Sequence, residues 1–301
     1  MNLGQLKNAL LRIIGTDGYA AGLSGGDIVG IPVASITDTF GLPADHRITL
    51  TSGDPVDNNV SGSTVYLTPY RGNKIALYTG SVWSVLSVAE LSIALPGTTD
   101  TNYDLFVDYN SGTPQLELVA WTDGTTRATA IVRQDGVYCK TGDLTKRYVG
   151  TVRTGGTSGQ AENTESERFV WNYYNRIPSL AKYSDQTSHT YSTGAWRYWN
   201  NSSSAKVELV IGVNEVAQRV HATGQGEDTL RIGFGVNVNN AHSGSLDQLF
   251  RNSNSSNICA GSTDRINTGL ASGYSYVSAV EYGDSAPADL DAVLLIVESE
   301  G

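Results

Sequence analysis

Between Thr229 and Asn239 the chain reads TLRIGFGVNVN, with Leu230, Ile232, Phe234, Val236 and Val238 on one parity and Thr229, Arg231, Gly233, Gly235, Asn237 and Asn239 on the other. Strand side chains alternate between faces, so this pattern predicts a strand with one buried and one wet face. Similar runs are expected near 191–198, 206–213 and 274–282. The last run, DAVLLIVES (291–299), is apolar on both parities, which predicts a central strand covered on both faces. In KIALYTGSVWSVL, Gly80 and Ser81 separate two short alternating segments, the signature of a hairpin. A second hairpin is expected in QLELVAWTDGTTRATAIV, turning at Asp123 and Gly124, and another turn at Asp135 and Gly136. Crossover helices are missing from this text. The fold class expected is therefore all-β, an antiparallel β-sandwich or jelly roll.

The start of the chain has a different period. Leu3, Leu6, Leu10 and Ile13 are spaced as the seam of a short amphipathic helix, followed over 15–44 by a Gly-rich extended connector with at most a short strand at 27–33. The helix either caps its own domain or serves in assembly. The stretch TVRTGGTSGQAENTESE (151–167) is poor in apolar residues and predicts a boundary, giving an N-terminal segment over 1–43, a β domain over 44–155 and a C-terminal β domain over 156–301. Just beyond it, ESERFVWNYYNRIP admits two readings. Thr164 and Glu167 have capping-box spacing, whereas the aromatic content suits a strand.

Composition narrows the function classes. Of 301 residues 17% are charged, so hydroxyls and amides must wet much of the surface, and a formal charge of −10 argues against nucleic acid as a partner. No run approaches a membrane span, Met1 to Ile14 lacks the apolar core of a signal peptide, and the sequons at Asn59, Asn200, Asn201 and Asn254 read as loop composition. Cys139 and Cys259 are expected as free thiols.

Motifs for chemistry are weak. Gly22, Ser24 and Gly26 have the spacing of a nucleophile elbow, but a β-like DIVGIPV follows where that turn needs a helix. His46, His189, His221 and His242 show no metal-ligand spacing, so no metal and no cofactor are expected. Asp54 and Asp57, or Asp289 and Asp291, have the oxygen ligands of a calcium loop without its order, and turn capping explains them better. No acidic pair stands in a glycosidase motif.

The segment TYSTGAWRYWNNSSS differs in kind. Tyr191, Trp196, Tyr198 and Trp199 place flat aromatic faces beside Arg197 and Asn200, which suits stacking on sugar rings or anchoring a protein interface. The competing reading makes the shared face of Trp196 and Tyr198 core, with Arg197 and Trp199 pointing outward.

Residues 146–177, KRYVGTVRTGGTSGQAENTESERFVWNYYNRI, together with VYLTPYRGNKIALYTGSVWSVLS upstream, resemble virion structural proteins of tailed bacteriophages. The resemblance covers about the middle third of the chain. It implies a non-enzymatic virion component, often a homotrimer, joined to other virion proteins through its N-terminal segment. A tail fibre or receptor-binding adhesin meeting a host-surface glycan or protein is the first expectation, a capsid decoration, head-fibre or collar protein the second. A polysaccharide-degrading tailspike would be favoured by a parallel β-helix period, which the sequence does not show.

If the seam of Leu3, Leu6, Leu10 and Ile13 serves assembly, deleting residues 2–14 leaves the β domains folded and lowers the mass in solution or the incorporation into particles. Light scattering on the truncated chain checks this, and an unchanged mass with normal incorporation refutes it.

Overall fold

A computed structural model describes residues 42–301 except 216, 228, 244–247, 252–257, 268–269 and 284–287. The expected N-terminal helix, the connector strand and the Ser24 motif lie outside the described residues. Within them the fold is all-β, with twenty-four strands and two 3-10 turns, and it contains no helix long and apolar enough to cross a membrane.

The strands stack in layers. A three-stranded sheet, β1 (His46–Thr49), β3 (Thr64–Pro69) and β6 (Leu91–Ala94), covers one face of a second sheet. That second sheet runs β8 (Gln115–Ala120), β7 (Asn102–Asp108), β11 (Asp143–Arg153), β10 (Val137–Lys140), β9 (Ile131–Gln134), with β14 (Val170–Asn172) also on β11. Ile48, Val65 and Leu67 pack there against Leu105, Val107 and Val152. The opposite face of β7 and β11 sends Phe106 and Tyr148 into the core of the C-terminal half. These two strands are thus buried on both faces, the condition that the sequence suggested for the last strand.

The C-terminal half is a sandwich. One sheet holds β18 (Lys206–Ile211), β23 (Gly273–Tyr282), β20 (Thr229–Val236) and β21 (Gln248–Arg251), with β17 (Trp196–Tyr198) on β23. The facing sheet holds β15 (Pro178–Asp185), β24 (Ala288–Glu300), β19 (Gln218–Glu227) and β22 (Ile258–Asn267), with β16 (His189–Tyr191) on β24. Val207, Leu209, Phe234, Val277 and Ala279 meet Val220, Ala222, Val293, Leu295 and Val297 between them. As the alternation predicts, Ile232 and Phe234 face inward. The strand nevertheless stops at Val236, because Asn237 adopts a left-handed φ of 55° and turns the chain back over Gly233 and Gly235. A side chain at either glycine would strike His242 or the Val238 carbonyl.

Two expectations are corrected. β24 is central, but its second face is not covered: Ala292, Leu294 and Ile296 line the outside of the sandwich, half-buried. The turn at Asp123 and Gly124 is present, closed by a bridge between Trp121 and Arg127, yet the flanking strands do not pair and lie at opposite edges of one sheet. The stretch 151–167, expected to hold a domain boundary, is itself paired in the sheets. β12 (Ala161–Asn163) pairs with β2 (Val60–Gly62), and β13 (Glu167–Arg168) runs parallel to β18, so this stretch stitches the halves together. The segment left ambiguous is extended, and Thr164 Oγ1 accepts the Glu167 N–H in a turn. The hairpins β4 (Lys74–Tyr78) with β5 (Trp83–Ser87), and β9 with β10, form where expected. The second turns on Asp135 and Gly136, both left-handed. Cys139 is a free, buried thiol whose pKa burial pushes up to about 11.

β11 carries a bulge between Tyr148 and Gly150 at its crossing with β7. Any Cβ at Gly150 would meet the Trp171 carbonyl and the Ile48 side chain. Gly150→Ala should therefore cost about 3 kcal/mol in urea denaturation. Gly156→Ala, with open space around it and no left-handed φ, should stay within about 0.5 kcal/mol of the parent.

Candidate functional site

The aromatic segment 189–199 closes one end of the C-terminal sandwich. β16 joins the sheet of β24, and after a turn at 192–195 β17 joins the sheet of β23. Directly paired residues share a face, so the register of Trp196 with Tyr282 and Tyr198 with Val280 places both rings on the outer side of β23. Arg197, between them, points inward against Glu281. Trp199 turns into the core and is fully buried.

The structure therefore separates the four predicted ligand-binding residues. Trp196 and Tyr198 are half-buried on the outer face. Tyr191 is half-buried too, but its ring lies under the Arg197 guanidinium at 3.6 Å and its hydroxyl donates to the Ala195 carbonyl. Trp199 offers no surface to any ligand, and its removal from the site corrects the sequence expectation. The competing reading fails as well, since Arg197 and Trp199 are the pair that lies inside.

Further rings join Trp196 and Tyr198. Tyr274, Tyr276 and Tyr282 have one parity on β23, and the register pairs Tyr276 with Glu208 and Tyr282 with Arg231. Tyr282 lies 5.4 Å from Trp196, which stacks on His242 at 5.4 Å, and the Arg231 guanidinium sits 4.7 Å over Tyr282. Tyr274 and Tyr276 are 6.4 Å apart, with Lys206 Nζ 5.5 Å from the Tyr276 ring and 3.0 Å from Glu208. Burial, then the neighbouring Tyr198 phenol, raises the Tyr276 pKa, so the Tyr276 phenol stays a neutral donor. On the same face between Tyr276 and Tyr282, Ser278 and Val280 are wholly buried, and Ser278 Oγ donates to the Gly235 and Val238 carbonyls. The signal for these rings was readable in GYSYVSAVEY, where Tyr274, Tyr276 and Tyr282 share one parity with Ser278 and Val280. Sequence could not show that β17 lies beside them.

Beneath these rings, inside the sandwich, Glu281 is wholly buried and takes Arg197 Nε at 2.6 Å and His189 Nε2 at 2.6 Å. The two partners come from facing sheets, so one carboxylate ties the sheets together at this end. Burial lowers the His189 pKa, but the hydrogen bond and charge of Glu281 outweigh it and raise it above 6.5. His189 also lies edge-on to Trp199 at 5.0 Å.

The other candidates have structural partners. Asp54 accepts the Val56 N–H and Asp57 the N–H groups of Leu50 and Thr51, while Thr190 and Ser188 donate to Asp289 and Asp291. His46 Nε2 lies 3.0 Å from the Val88 carbonyl. Among the described residues no group of three His, Cys, Asp or Glu could hold a metal ion.

No family model and no curated protein sequence matches this chain. Solved structures similar to it include a GH86 enzyme in complex with neoagarooctaose, at 10% identity and a TM-score of 0.26, with 81% of this chain and 35% of that one covered. A Bacteroides plebeius β-porphyranase of glycoside hydrolase family 86 gives 13% identity, 0.26, 79% and 34%, and the Bacillus thuringiensis δ-endotoxin Cry8Ea1 gives 8%, 0.23, 83% and 51%. The chain spans about a third of the length of the first two. At these scores the likeness carries no argument about what this chain does.

Because the folded His189 pKa is raised, its contribution to stability is fully present below the unfolded value of about 6.5 and is lost as pH rises through the folded value. Burial lowers the His46 pKa, so that residue acts oppositely, costing stability as pH falls below about 6.5. The stability gap between the parent and His189→Asn isolates the first effect. It should shrink in denaturation curves taken from about pH 6 to about pH 8, and a gap constant with pH would show that the pair does not titrate as assigned.

Proposed function

We propose that the chain is a non-enzymatic structural protein of a tailed-bacteriophage virion, an adhesin whose C-terminal sandwich contacts a host-surface glycan. The virion assignment rests on the resemblance of residues 146–177 and of the preceding strand text. The ligand class rests on the outer face of β23: half-buried Trp196, Tyr198, Tyr276 and Tyr282 lie side by side among the charged groups of Lys206, Glu208 and Arg231. Flat rings with polar neighbours stack on the apolar faces of sugars while fixing their hydroxyls, and a strand platform holds the rings at little ordering cost. Copies in a homotrimer would raise weak binding per site through effective concentration.

A second reading, a decoration or collar protein, is favoured by one observation. The outer face of β24, with Ala292, Leu294 and Ile296, borders a hollow of about 440 Å³ shared with Lys182 and Gln225, a surface that a neighbouring subunit could cover.

The double variant Trp196→Ala, Tyr276→Ala should bind host cells or their surface polysaccharide about tenfold more weakly or worse, with an unchanged melting temperature. Trp199→Ala should instead cost about 3–5 kcal/mol of stability, since that ring is core. Full binding by the folded double variant would sink the adhesin reading and leave the decoration reading.

A further inference from the structure

The rings on the outer face of β23 form a bent row. Tyr282 lies 5.4 Å from Trp196, Tyr198 follows Trp196 on β17, its phenol neighbours that of Tyr276, and Tyr276 lies 6.4 Å from Tyr274. The row bends through β17 because the straight line along β23 is closed. The Asn237 N–H donates to the Tyr276 carbonyl and Asn237 Oδ1 accepts the Tyr276 N–H, both at 2.9 Å, and the segment 237–243 then runs back over β20. The Ser243 N–H donates to the Phe234 carbonyl at 2.8 Å, its hydroxyl accepts the Val236 N–H at 2.9 Å, and His242 stacks on Trp196. Beneath this strap Ser278 is wholly buried. The strap is therefore a wall, and the rings are the floor beside it.

Length and charge restrict what can lie on that floor. From Tyr276 to Tyr282 is six residues of strand, about 20 Å, and the detour through β17 adds to it. One sugar stacks on one ring, so covering the row takes about four linked sugars or more. The Trp196 and Tyr282 planes are inclined by 59° and those of Tyr274 and Tyr276 by 38°, so the floor twists. A single dissolved chain can follow such a twist, whereas the flat side of a packed fibre would touch a ring or two. Burial first, then the carboxylates of Glu208 and Glu162, raises the Glu167 pKa, which places three carboxylates at the Tyr274 end of the row. Lys206 answers Glu208 at 3.0 Å, and Arg153, over the Tyr274 ring at 4.1 Å, answers Asp100 at 3.1 Å. A repeating polyanion that met Arg231 beside Tyr282 would meet these carboxylates at the other end.

We infer that this face binds an internal stretch of a single neutral glycan chain, about four sugars or more, and not a terminal sugar. The inference rests on the proposed glycan reading of the face and adds the length and charge of the ligand. A terminal sugar covers one pair of rings and leaves the rest of the row unused. Each ring gives a shallow contact, and linking the sugars makes every contact after the first intramolecular, so affinity climbs with length. The strap keeps the chain along the row.

Calorimetric titration of the full chain with neutral β-linked chains of glucose and of N-acetylglucosamine, from one sugar to six, tests this, with a galacturonate hexamer as the charged control. A six-sugar neutral chain should bind with a dissociation constant on the order of 0.1 mM, about tenfold or more tighter than its disaccharide, and the galacturonate hexamer should bind more weakly than either neutral hexamer. Trp196→Ala and Tyr276→Ala should each remove most of the gain between two and six sugars, with an unchanged melting temperature. The ladder on the parent needs no variant, so a variant that fails to fold leaves the result decisive. A disaccharide bound as tightly as the hexamer overturns the extended chain, galacturonate bound more tightly overturns the neutral one, and no binding at any length overturns both. The adhesin reading is decided separately, by the cell-binding assay of the double variant.

Discussion

A sheet covered on both faces leaves no water for its polar groups, and the middle layer of this protein is organised by that constraint. Asp104 of β7 is nearly wholly buried, where an unpaired carboxylate would cost several kcal/mol. Arg127 meets it through Nε at 2.6 Å and Nη2 at 3.2 Å, and Thr151 of β11 adds a hydroxyl at 2.7 Å. The same Arg127 donates to the Gly212 carbonyl at the end of β18 and lies over the Trp121 ring at 4.4 Å. One ion pair thus satisfies the middle sheet and fastens the C-terminal sandwich to it. The turn at Asp123 and Gly124, which looked like a plain hairpin, exists to deliver Arg127.

The same accounting explains the segment FVWNYYNR. Asn172 acts as an extra strand residue for β1, accepting the Ile48 N–H at 2.6 Å and donating to the Ile48 carbonyl at 3.2 Å. Asn175 donates to the His46 carbonyl at 3.1 Å. Arg147, fully enclosed, gives its N–H groups to the carbonyls of Leu42, Pro43 and Ala76 and packs on Tyr174 at 4.4 Å, so it pins the first described residues against β4. Polar side chains thus add to the apolar contacts of Phe106 and Tyr148 in joining the halves. That is why a stretch poor in apolar residues at 151–167 could read as a linker and yet be stitching.

How much was legible follows from range. Alternation is local, so β20, β23 and the hairpins of β4 with β5 and β9 with β10 could be read directly, and the all-β class with them. Sheet order depends on pairings far apart in sequence. Nothing in the text of β8 and β9 says that they sit at opposite edges. Parity likewise separates Trp196 and Tyr198 from Arg197 and Trp199 without saying which set faces the core. Large aromatics would ordinarily take that place, yet the inward slot is filled by Arg197 because Glu281, on β23, is already inside. β24 misled for a related reason, since an apolar parity can be core or an uncovered outer face, and only the other layers decide between them.

The polar end of the sandwich and the aromatic face are mechanically one feature. Arg197 is fixed inward by Glu281 and lies on Tyr191, which leaves its neighbours Trp196 and Tyr198 no freedom to exchange faces, because a one-residue slip would bury both rings and expose the guanidinium. His189 holds Glu281 from the opposite sheet, so the register of β17 is set by contacts on both sides of the core. Rings held in this way are ordered before any ligand arrives. The entropy that a loop-borne aromatic site would lose on binding has already been lost on folding, and a shallow face can then bind with few contacts.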